Sequence, residues 1–302
     1  MSSKPEYRGR FAPSPTGALH AGSLATALGS WLDARAHLGK WLLRIEDLDL
    51  PRCVPGADKI IIQQLLNCGL HWDEEIEYQS KRSHFYESAL NQLKQDKKAY
   101  GCRCTRKQIE DQLLLLGKKK DRHAELIYPG SCRNSEEVTE PCAWRLLVTD
   151  PEIELSVGDF VLRRSDRIFT YQLAVVVDDH LQGITHVVRG EDLLDNTARQ
   201  MYLQQQLNYP QPHYLHLPLV LDDNNEKLSK QTNAIAIACN TPGEALKALQ
   251  AAAKHLGLNE PALFNNSSDS ADSKEAKELK INESTIKHWL ETAVEHYRKT
   301  RL

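Results

Sequence analysis

Two short segments of the chain contain the side chains best suited to chemistry on a nucleotide. Residues 13–23 have the sequence PSPTGALHAGS, and residues 226–231 have the sequence EKLSKQ. Gly17 and Gly22 let the backbone approach a nucleotide closely, and a helix starting here would direct its first N–H groups at phosphate. His20 can donate a hydrogen bond to a phosphate oxygen. The first segment therefore predicts the phosphate-binding side of an ATP site.

The second segment supplies two cations on a predicted loop. Lys227 and Lys230 can close over a departing pyrophosphate, so that positioning and electrostatics drive the reaction without a side-chain nucleophile. Taken singly, each segment has an ordinary interpretation. His20 alone would be a surface histidine beside a turn, and KLSK alone a solvated loop. The prediction depends on the conjunction of the two segments.

The elements around the first segment must position these groups. Residues 8–12 and 41–45 are typical of short strands, and residues 24–38 have the apolar spacing of a helix that ends at Gly39. A strand–helix–strand unit of this kind places its two strands in parallel. The sequence therefore predicts an α/β fold with a parallel sheet.

The rest of the chain continues the alternation of helices and strands. Helices are predicted over residues 58–68, 84–97, 193–207, 243–256 and 286–297. Strands are predicted over residues 144–148, 173–177 and 185–188, with antiparallel strands up to residue 169. Thr241 followed by Pro242 indicates an N-cap and the first residue of a helix.

Changes in composition divide the chain into four parts. We expect the first half of a nucleotide-binding catalytic domain in residues 1–99 and its remainder, with the lysine segment, in residues 143–240. Residues 100–142 are rich in Cys and Lys and indicate an inserted lobe, and residues 241–302 indicate a helical C-terminal region. Within that region, residues 264–278 have the Ser, Asp and Lys content of a flexible linker.

The bulk composition is that of an ordinary globular protein. The 302 residues are 41% hydrophobic and 26% charged, with a formal net charge of -3. This balance excludes a histone-like basic protein, although a local basic patch can still hold phosphates. No apolar stretch is long enough for a signal peptide or a membrane span. We therefore expect a cytoplasmic protein, without a membrane partner, whose seven cysteines are thiols or metal ligands.

In their order, the two segments resemble the two ATP-handling signatures of class I aminoacyl-tRNA synthetases. RFAPS at residues 10–14, RIEDLD at 44–49, VDDH at 177–180 and GITHVVRG at 183–190 resemble glutamyl-tRNA synthetases, in family order over residues 8–231. The resemblance implies ATP with Mg²⁺, a Rossmann-like parallel sheet, an inserted zinc-binding, acceptor-type lobe and a small helical C-terminal region. It assigns ATP contacts to Pro13, Gly17, His20, Gly22, Ser23 and Lys230, and catalysis to His20, Lys227 and Lys230.

The residue types suit L-glutamate as the amino acid. Arg10 and Arg189 fit its two carboxylates, and which arginine holds which carboxylate stays open. Glu46 suits the ammonium group, and Tyr171 can bond to the amino acid from the opposite wall. Outside a family pattern, Glu46 and Arg189 would indicate a structural ion pair. Arg189 argues against glutamine, because glutaminyl enzymes lack an arginine there. The set implied by the resemblance is Arg10, Ala12, Ser14, Glu46, Tyr171 and Arg189.

Two departures from the family pattern indicate one of its sub-branches. Ser23 stands where a second histidine is usual, and Gln231 stands where a serine is usual. Both departures resemble the sequence pattern of the glutamyl-queuosine tRNA(Asp) synthetases. The residues after Gln231 also leave no room for an anticodon-binding domain of typical size, about 100 residues or more. The resemblance implies transfer of glutamate from glutamyl-adenylate to the queuosine base of tRNA(Asp), and we expect a monomer.

Three other functions fit parts of the sequence. A truncated glutamyl-tRNA synthetase would charge the 3′ end of a tRNA, and a catalytically inactive relative would only bind tRNA. A nucleotidylyltransferase shares the histidine turn but has no need of the RIED and VVRG elements. The intact His20, Glu46, Arg189 and Lys230 argue against the inactive relative.

A cluster of cysteines lies in the predicted lobe. Cys102, Cys104 and Cys132 with one further donor can form a tetrahedral zinc site, although free thiols fit the spacing equally well. Residues 118–122, KKKDR, indicate either a contact with tRNA phosphates or a solvated face. The sub-branch implies a structural zinc ion on Cys102, Cys104, Tyr128 and Cys132, with His123 and Cys142 as alternative fourth ligands.

Overall fold

The computed structural model describes residues 6–117, 127–135, 138–220, 235–259, 263 and 281–302. Within these ranges the chain forms eight strands and nine helices besides short 3-10 turns. The strands are β1 (Arg8–Phe11), β2 (Lys40–Ile45), β3 (Glu77–Tyr78), β4 (Ala99–Cys102), β5 (Ala143–Leu146), β6 (Val161–Arg163), β7 (His186–Gly190) and β8 (His213–Leu217). The helices are α1 (Ala21–Ala36), α2 (Ala57–Asn67), α3 (Ser83–Gln95), α4 (Arg106–Leu115), α5 (Pro151–Ser156), α6 (Tyr171–Leu181), α7 (Leu194–Leu207), α8 (Pro242–His255) and α9 (Glu283–Arg301).

The chain divides into two compact units, each discontinuous in sequence. Unit 1 consists of Met1–Tyr78, Ile184–Leu194 and Pro212–Leu302, and unit 2 of Gln79–Gly183 and Asp195–Gln211. Strands β1, β2, β3, β7 and β8 belong to unit 1, together with α1, α2, α8 and α9. Strands β4 to β6, helices α3 to α6 and nearly all of α7 belong to unit 2.

The parallel sheet predicted from the first strand–helix–strand unit is confirmed in unit 1. β1 and β2 are parallel, with Arg8 opposite Lys40, and β3 pairs with β2 in the same direction. β7 and β8 form a second parallel pair. The Thr185 N–H donates to the Arg8 carbonyl at 2.9 Å, so β7 and β1 begin side by side and run in the same direction. The carboxyl ends of β1, β2 and β7 therefore share one edge of the sheet.

Helices α1, α8 and α9 form the helical layer of unit 1. α1 packs against both α8 and α9. The buried Asp33 of α1 accepts hydrogen bonds from the Tyr7 hydroxyl and, at 3.2 Å, from the Tyr297 hydroxyl. α8 starts as predicted, with Thr241 as its N-cap and Pro242 as its first residue. The predicted apolar face of α9 is also buried and consists of Ile286, Trp289, Leu290, Ala293 and Tyr297. The predicted linker lies outside the described residues.

Unit 2 contains an antiparallel sheet in the order β4-β5-β6. The predicted lobe, residues 100–142, belongs to this unit. Two strand predictions are wrong here, because residues 173–177 lie within helix α6 and residues 151–156 form helix α5. The run from Leu173 to Val177 is buried on every side. An apolar run of this length has the same appearance in a buried helix and in a central strand, so periodicity cannot distinguish them.

Candidate active site

The first predicted segment forms a tight turn between β1 and α1. Gly17 has a φ of 143°, a backbone conformation that other residues rarely adopt. The Glu46 N–H, directly after β2, donates to the Pro13 carbonyl at 3.0 Å. The Leu19 N–H donates to Oε1 of the buried Gln64 in α2 at 2.7 Å. The turn is thus fixed from two sides before α1 begins.

His20 caps helix α1 with its own ring. The Nδ1 atom accepts a hydrogen bond from the Ser23 N–H at 3.4 Å. Because Nδ1 accepts, the proton of the neutral imidazole lies on Nε2, where it can be donated to a phosphate oxygen. A Cβ at Gly22 would lie 3.1 Å from Cε1 of the ring, so glycine leaves room for this arrangement. The sequence identifies His20, but its tautomer follows only from the structure.

The described residues that precede and follow the lysine segment lie at this turn. Val220 is the last described residue before the segment, and a Cβ at Gly22 would lie 3.8 Å from its Cβ. Ala236, just after the segment, forms an antiparallel bridge with His20. Residues 221–234 themselves lie outside the described residues. The two predicted catalytic lysines fall in that range, Lys227 and Lys230.

Three predicted glutamate-binding residues lie on, or directly after, strands that end at the same edge of the sheet. Arg10 in β1 and Arg189 in β7 are buried, at 4% and 3% exposure. Glu46 directly follows β2, and its Oε1 lies 3.2 Å from Nη2 of the fully buried Arg44. The guanidinium pairs with the Glu46 carboxylate and so restricts its orientation. Two further residues predicted to contact glutamate lie just beyond the end of β1, the half-buried Ala12 and the exposed Ser14.

Arg189 has three neighbours that the sequence did not suggest as functional. Its Nε–H donates to His216 Nε2 at 3.4 Å, and its Nη2 donates to the Leu193 carbonyl at 3.2 Å. The guanidinium carbon lies 5.0 Å from the centroid of the Tyr214 ring. Arg189 and His216 are also partners in the pairing of β7 with β8. A polar residue opposite Arg189 is the signal that could have been found, but only once β8 was known to pair with β7.

Tyr171, the remaining predicted glutamate residue, is the first residue of α6 in unit 2. The helix is anchored two turns further on by Asp178, which is fully buried. Asp178 accepts hydrogen bonds from Arg82 Nε at 2.7 Å, the Tyr86 hydroxyl at 2.8 Å and Gln79 Nε2 at 2.9 Å. A buried carboxylate with this many donors is well compensated for its lost hydration. The network fixes the helix that begins at Tyr171.

The structure brings the four predicted zinc ligands together in unit 2. The sulfur atoms of Cys102, Cys104 and Cys132 lie within 4.8 Å of one another, close enough to hold one metal ion. The Tyr128 hydroxyl lies 3.3 Å from Cys102 Sγ and 3.4 Å from Cys104 Sγ. Three thiols and a phenol at one point form a donor set that suits a soft divalent metal in tetrahedral coordination.

The thiols of this cluster differ in acidity. Burial raises the pKa of Cys104 to about 11. Burial alone would raise the pKa of Cys132. Hydrogen bonds, first among them that from Tyr128, outweigh burial and lower this pKa to about 7. Among the residues that the structure describes, Cys142 lies outside this metal-capable group. The other alternative ligand and the basic run, His123 and residues 118–122, lie outside the described residues.

The chain matches a known family over most of its length. Residues 6–244 match the family described as tRNA synthetases class I (E and Q), catalytic domain, and the chain belongs to that family. Among its curated relatives, it is 51% identical over 289 residues to the Glutamyl-Q tRNA(Asp) synthetase of Albidiferax ferrireducens. The matched region covers 84% of this chain and 93% of that protein. It is 54% identical over 271 residues to the protein of the same name from Burkholderia orbicola, covering 84% and 89%.

Solved structures give the same fold. The glutamate-tRNA synthetase of Elizabethkingia anophelis matches with a TM-score of 0.64 and 30% identity, over 75% of this chain and 53% of that one. A glutamate tRNA ligase of Elizabethkingia meningosepticum in complex with its amino acid matches with a TM-score of 0.62 and 30% identity, over 75% and 52%. This chain thus spans about half the length of those synthetases. None of its described helices is both long and apolar enough to cross a membrane.

Proposed function

We propose that the chain activates L-glutamate with ATP and transfers the glutamyl group to the queuosine base in the anticodon of tRNA(Asp). The observation that supports this most strongly is the shared carboxyl edge of β1, β2 and β7, with Arg10 on β1, Arg189 on β7 and Glu46 directly after β2. Ligands bind at this edge in open α/β sheets. The choice of acceptor is supported by the printed names of the relatives at 51% and 54% identity. A tRNA substrate also implies a cytoplasmic protein.

In the first step, a glutamate α-carboxylate oxygen attacks the α-phosphorus of ATP. A new P–O bond forms, the bond to the β-phosphate oxygen breaks, and glutamyl-adenylate and pyrophosphate are the products. His20 donates its Nε2 proton as a hydrogen bond to phosphate, and the first N–H groups of α1 add a favourable dipole. Lys230 and Lys227 compensate the negative charge that moves onto the pyrophosphate. Positioning and electrostatics thus account for the catalysis.

In the second step, a hydroxyl of the queuosine cyclopentene-diol attacks the activated acyl carbon. The new ester bond forms, the acyl–phosphate bond breaks, and AMP leaves while the hydroxyl proton is released. Arg10 and Arg189 hold the two carboxylate groups of the amino acid in the first step, and Glu46 holds its ammonium group in both. Ala12 and Ser14 add contacts to the amino acid in unit 1, and the family resemblance assigns Tyr171 to the same substrate. Substrate specificity is therefore assigned to charged groups, which reject a neutral isostere strongly when buried.

Two metal ions are assigned to this function. Mg²⁺ would enter with ATP and neutralise phosphate charge. Zn²⁺ would be held by Cys102, Cys104, Tyr128 and Cys132, whose sulfur and oxygen atoms lie close enough for one tetrahedral ion. All four positions are then protein ligands, so this zinc would be structural and would stabilise the lobe of residues 100–142.

The experiment that tests the activation step is glutamate-dependent exchange of labelled pyrophosphate into ATP, measured with and without tRNA. We expect exchange with glutamate and at least tenfold less with glutamine, because the arginine that holds the side-chain carboxylate, Arg10 or Arg189, would face a neutral amide. His20→Ala should lower exchange by about tenfold or more, since it removes a hydrogen-bond donor used in the transition state. Absence of exchange with glutamate under both conditions would contradict the proposal and would favour a tRNA-binding protein.

A further inference from the structure

Arg189 is oriented by a residue that the mechanism above does not use. In the parallel pairing of β7 with β8, His216 stands opposite Arg189, so both side chains project from the same face. The 3.4 Å bond from Arg189 Nε to His216 Nε2 and the 3.2 Å bond from Nη2 to the Leu193 carbonyl approach the guanidinium at different nitrogens. Bonds at two different nitrogens restrict the rotation of the group.

Tyr214 supplies a third contact to the guanidinium group. It precedes His216 by two residues on β8 and so lies on the same face of the strand. Its ring is nearly parallel to that of His216, with 7° between the planes and 6.4 Å between the centroids. The Arg189 guanidinium carbon lies 5.0 Å from the Tyr214 ring centroid, within the range of a cation–π interaction. The two rings of β8 thus form an aromatic wall that faces Arg189.

The bond from Arg189 requires a neutral His216. A protonated imidazole carries N–H donors on both nitrogens and cannot accept from a guanidinium. Burial lowers the pKa of His216, and the charge of Arg189 lowers it further, whereas Asp192 and Glu191 act in the opposite direction. The net lowering keeps the ring neutral at pH 7, with its proton on Nδ1 and its lone pair on Nε2.

We propose that His216 is a positioning residue for the amino-acid substrate: its Nε2 fixes the plane of the Arg189 guanidinium toward a carboxylate of glutamate. This inference rests on the proposed function, because it takes Arg189 as a glutamate ligand. Recognition of a carboxylate by a guanidinium depends on two parallel bonds in one plane. A guanidinium that rotates out of that plane keeps its charge but loses one of the bonds. The expected effect therefore falls on glutamate and not on ATP.

Two variants of equal length separate the acceptor from the packing volume. His216→Gln places Oε1 near the position of Nε2 and retains a neutral acceptor, whereas His216→Met fills a similar space without one. Pyrophosphate exchange in the presence of tRNA gives KM for glutamate and for ATP. We expect His216→Met to raise the glutamate KM about fivefold or more, the cost of about one net hydrogen bond, with the ATP KM within about twofold. His216→Gln should restore the glutamate KM to within about threefold of wild type.

The control is His213→Gln on the same strand. The His213 ring stacks on the His186 ring, its partner in the strand pairing, and not on Arg189. Thermal melting of each variant establishes that it is folded at the assay temperature. A glutamate KM for His216→Met equal to that of wild type would overturn the inference, as would an equal rise for Met and Gln. Either result leaves wild-type exchange intact, so the proposed function would stand. Absence of wild-type exchange would instead reject both.

Discussion

At the scale of single residues, the charged groups at the sheet edge are held by partners that also explain their orientation. Glu46 is paired with the fully buried Arg44, and Arg189 with His216. The sequence indicated Glu46 and Arg189 through their motifs. It could not indicate the contact between Arg189 and His216, because His216 lies on β8, 27 residues further along the chain. Such a contact depends on strand pairing, which sequence spacing alone does not determine.

Glu46→Gln should raise the glutamate KM about tenfold or more, equivalent to about 1.4 kcal/mol. The substitution preserves the volume of the side chain but removes the charge that meets the substrate ammonium group. Steady-state exchange kinetics measure this, and the ATP KM should stay nearly constant. Glu74→Gln is the control, because Glu74 pairs with Arg8 at the start of β1, away from the carboxyl edge. An unchanged glutamate KM would mean that Glu46 serves only as the partner of Arg44.

Lys230→Ala should lower the rate of adenylate formation at least tenfold, an increase of about 1.4 kcal/mol in the barrier. The expectation comes from the sequence motif and from Val220 and Ala236, the described residues on either side of the segment, which lie at the His20 turn. Single-turnover formation of glutamyl-adenylate measures the effect. Lys59→Ala, on the exposed face of α2, provides a control for the loss of one positive charge. Near-normal adenylate formation by Lys230→Ala would refute its role.

At the scale of elements, the cysteine loop of unit 2 has a protein anchor besides any metal. Arg133 follows Cys132 and bonds to Asp159 through Nε at 2.6 Å and Nη2 at 2.8 Å. The fully buried Asp159 side chain also accepts from the Val148 N–H at 2.8 Å and from the Tyr100 hydroxyl. This partly buried ion pair connects the loop to the antiparallel sheet. Loss of metal should therefore loosen the loop locally without unfolding the unit.

Cys104→Ser should abolish zinc binding, because a serine hydroxyl is a poor substitute for a thiolate ligand. Metal analysis of the purified protein should find about one zinc ion per wild-type chain and almost none in the variant. Far-ultraviolet circular dichroism should remain close to that of wild type, owing to the anchor at Arg133. Cys142→Ala is the matched control in the same lobe and should retain zinc. Unchanged metal content in Cys104→Ser would refute the proposed site.

The success of sequence-based prediction also differed between elements. The first strand–helix–strand unit and the start of α8 were predictable, since Gly, Pro and Thr mark their boundaries with local chemistry. Helix α6 was predicted as a strand because its β-branched run is buried on all sides, and only tertiary packing decides such a segment. Within the described residues, its anchor at Asp178 involves Gln79, Arg82 and Tyr86, which are remote in sequence. No local pattern encodes that network.

At the scale of the whole molecule, a group of stacked rings connects the sheet of unit 1 to its helices. The Tyr7 ring stacks on His186 at 4.1 Å and on His37 at 4.6 Å, and its hydroxyl bonds to Asp33. His213 of β8 stacks on His186 at 4.9 Å. Burial lowers the pKa of His186, the neighbouring His213 and His37 lower it further, and Asp33 acts in the opposite direction. The folded protein therefore favours the neutral form of His186.

The free energy of unfolding should consequently fall as pH decreases below the ordinary histidine pKa of 6.5. In that range the unfolded chain binds a proton at His186 while the folded protein resists it, so protonation favours unfolding. Urea unfolding at pH 7.5 and at pH 5.5 measures the difference. His186→Gln should reduce it, since glutamine does not titrate. The lowered pKa of Glu74, about 2, affects stability only at more acidic pH. An identical pH dependence in wild type and variant would refute the assignment.

The position of the glutamyl ester on tRNA tests the central claim most directly. Labelled glutamate is transferred to queuosine-containing tRNA(Asp), queuosine-free tRNA(Asp) and tRNA(Glu), and the products are digested with a guanosine-specific nuclease and separated. We expect the label only on queuosine-containing tRNA(Asp), in the fragment that contains the wobble nucleoside. Label on the 3′-terminal adenosine, or better transfer to tRNA(Glu), would contradict the account and would identify an ordinary charging enzyme.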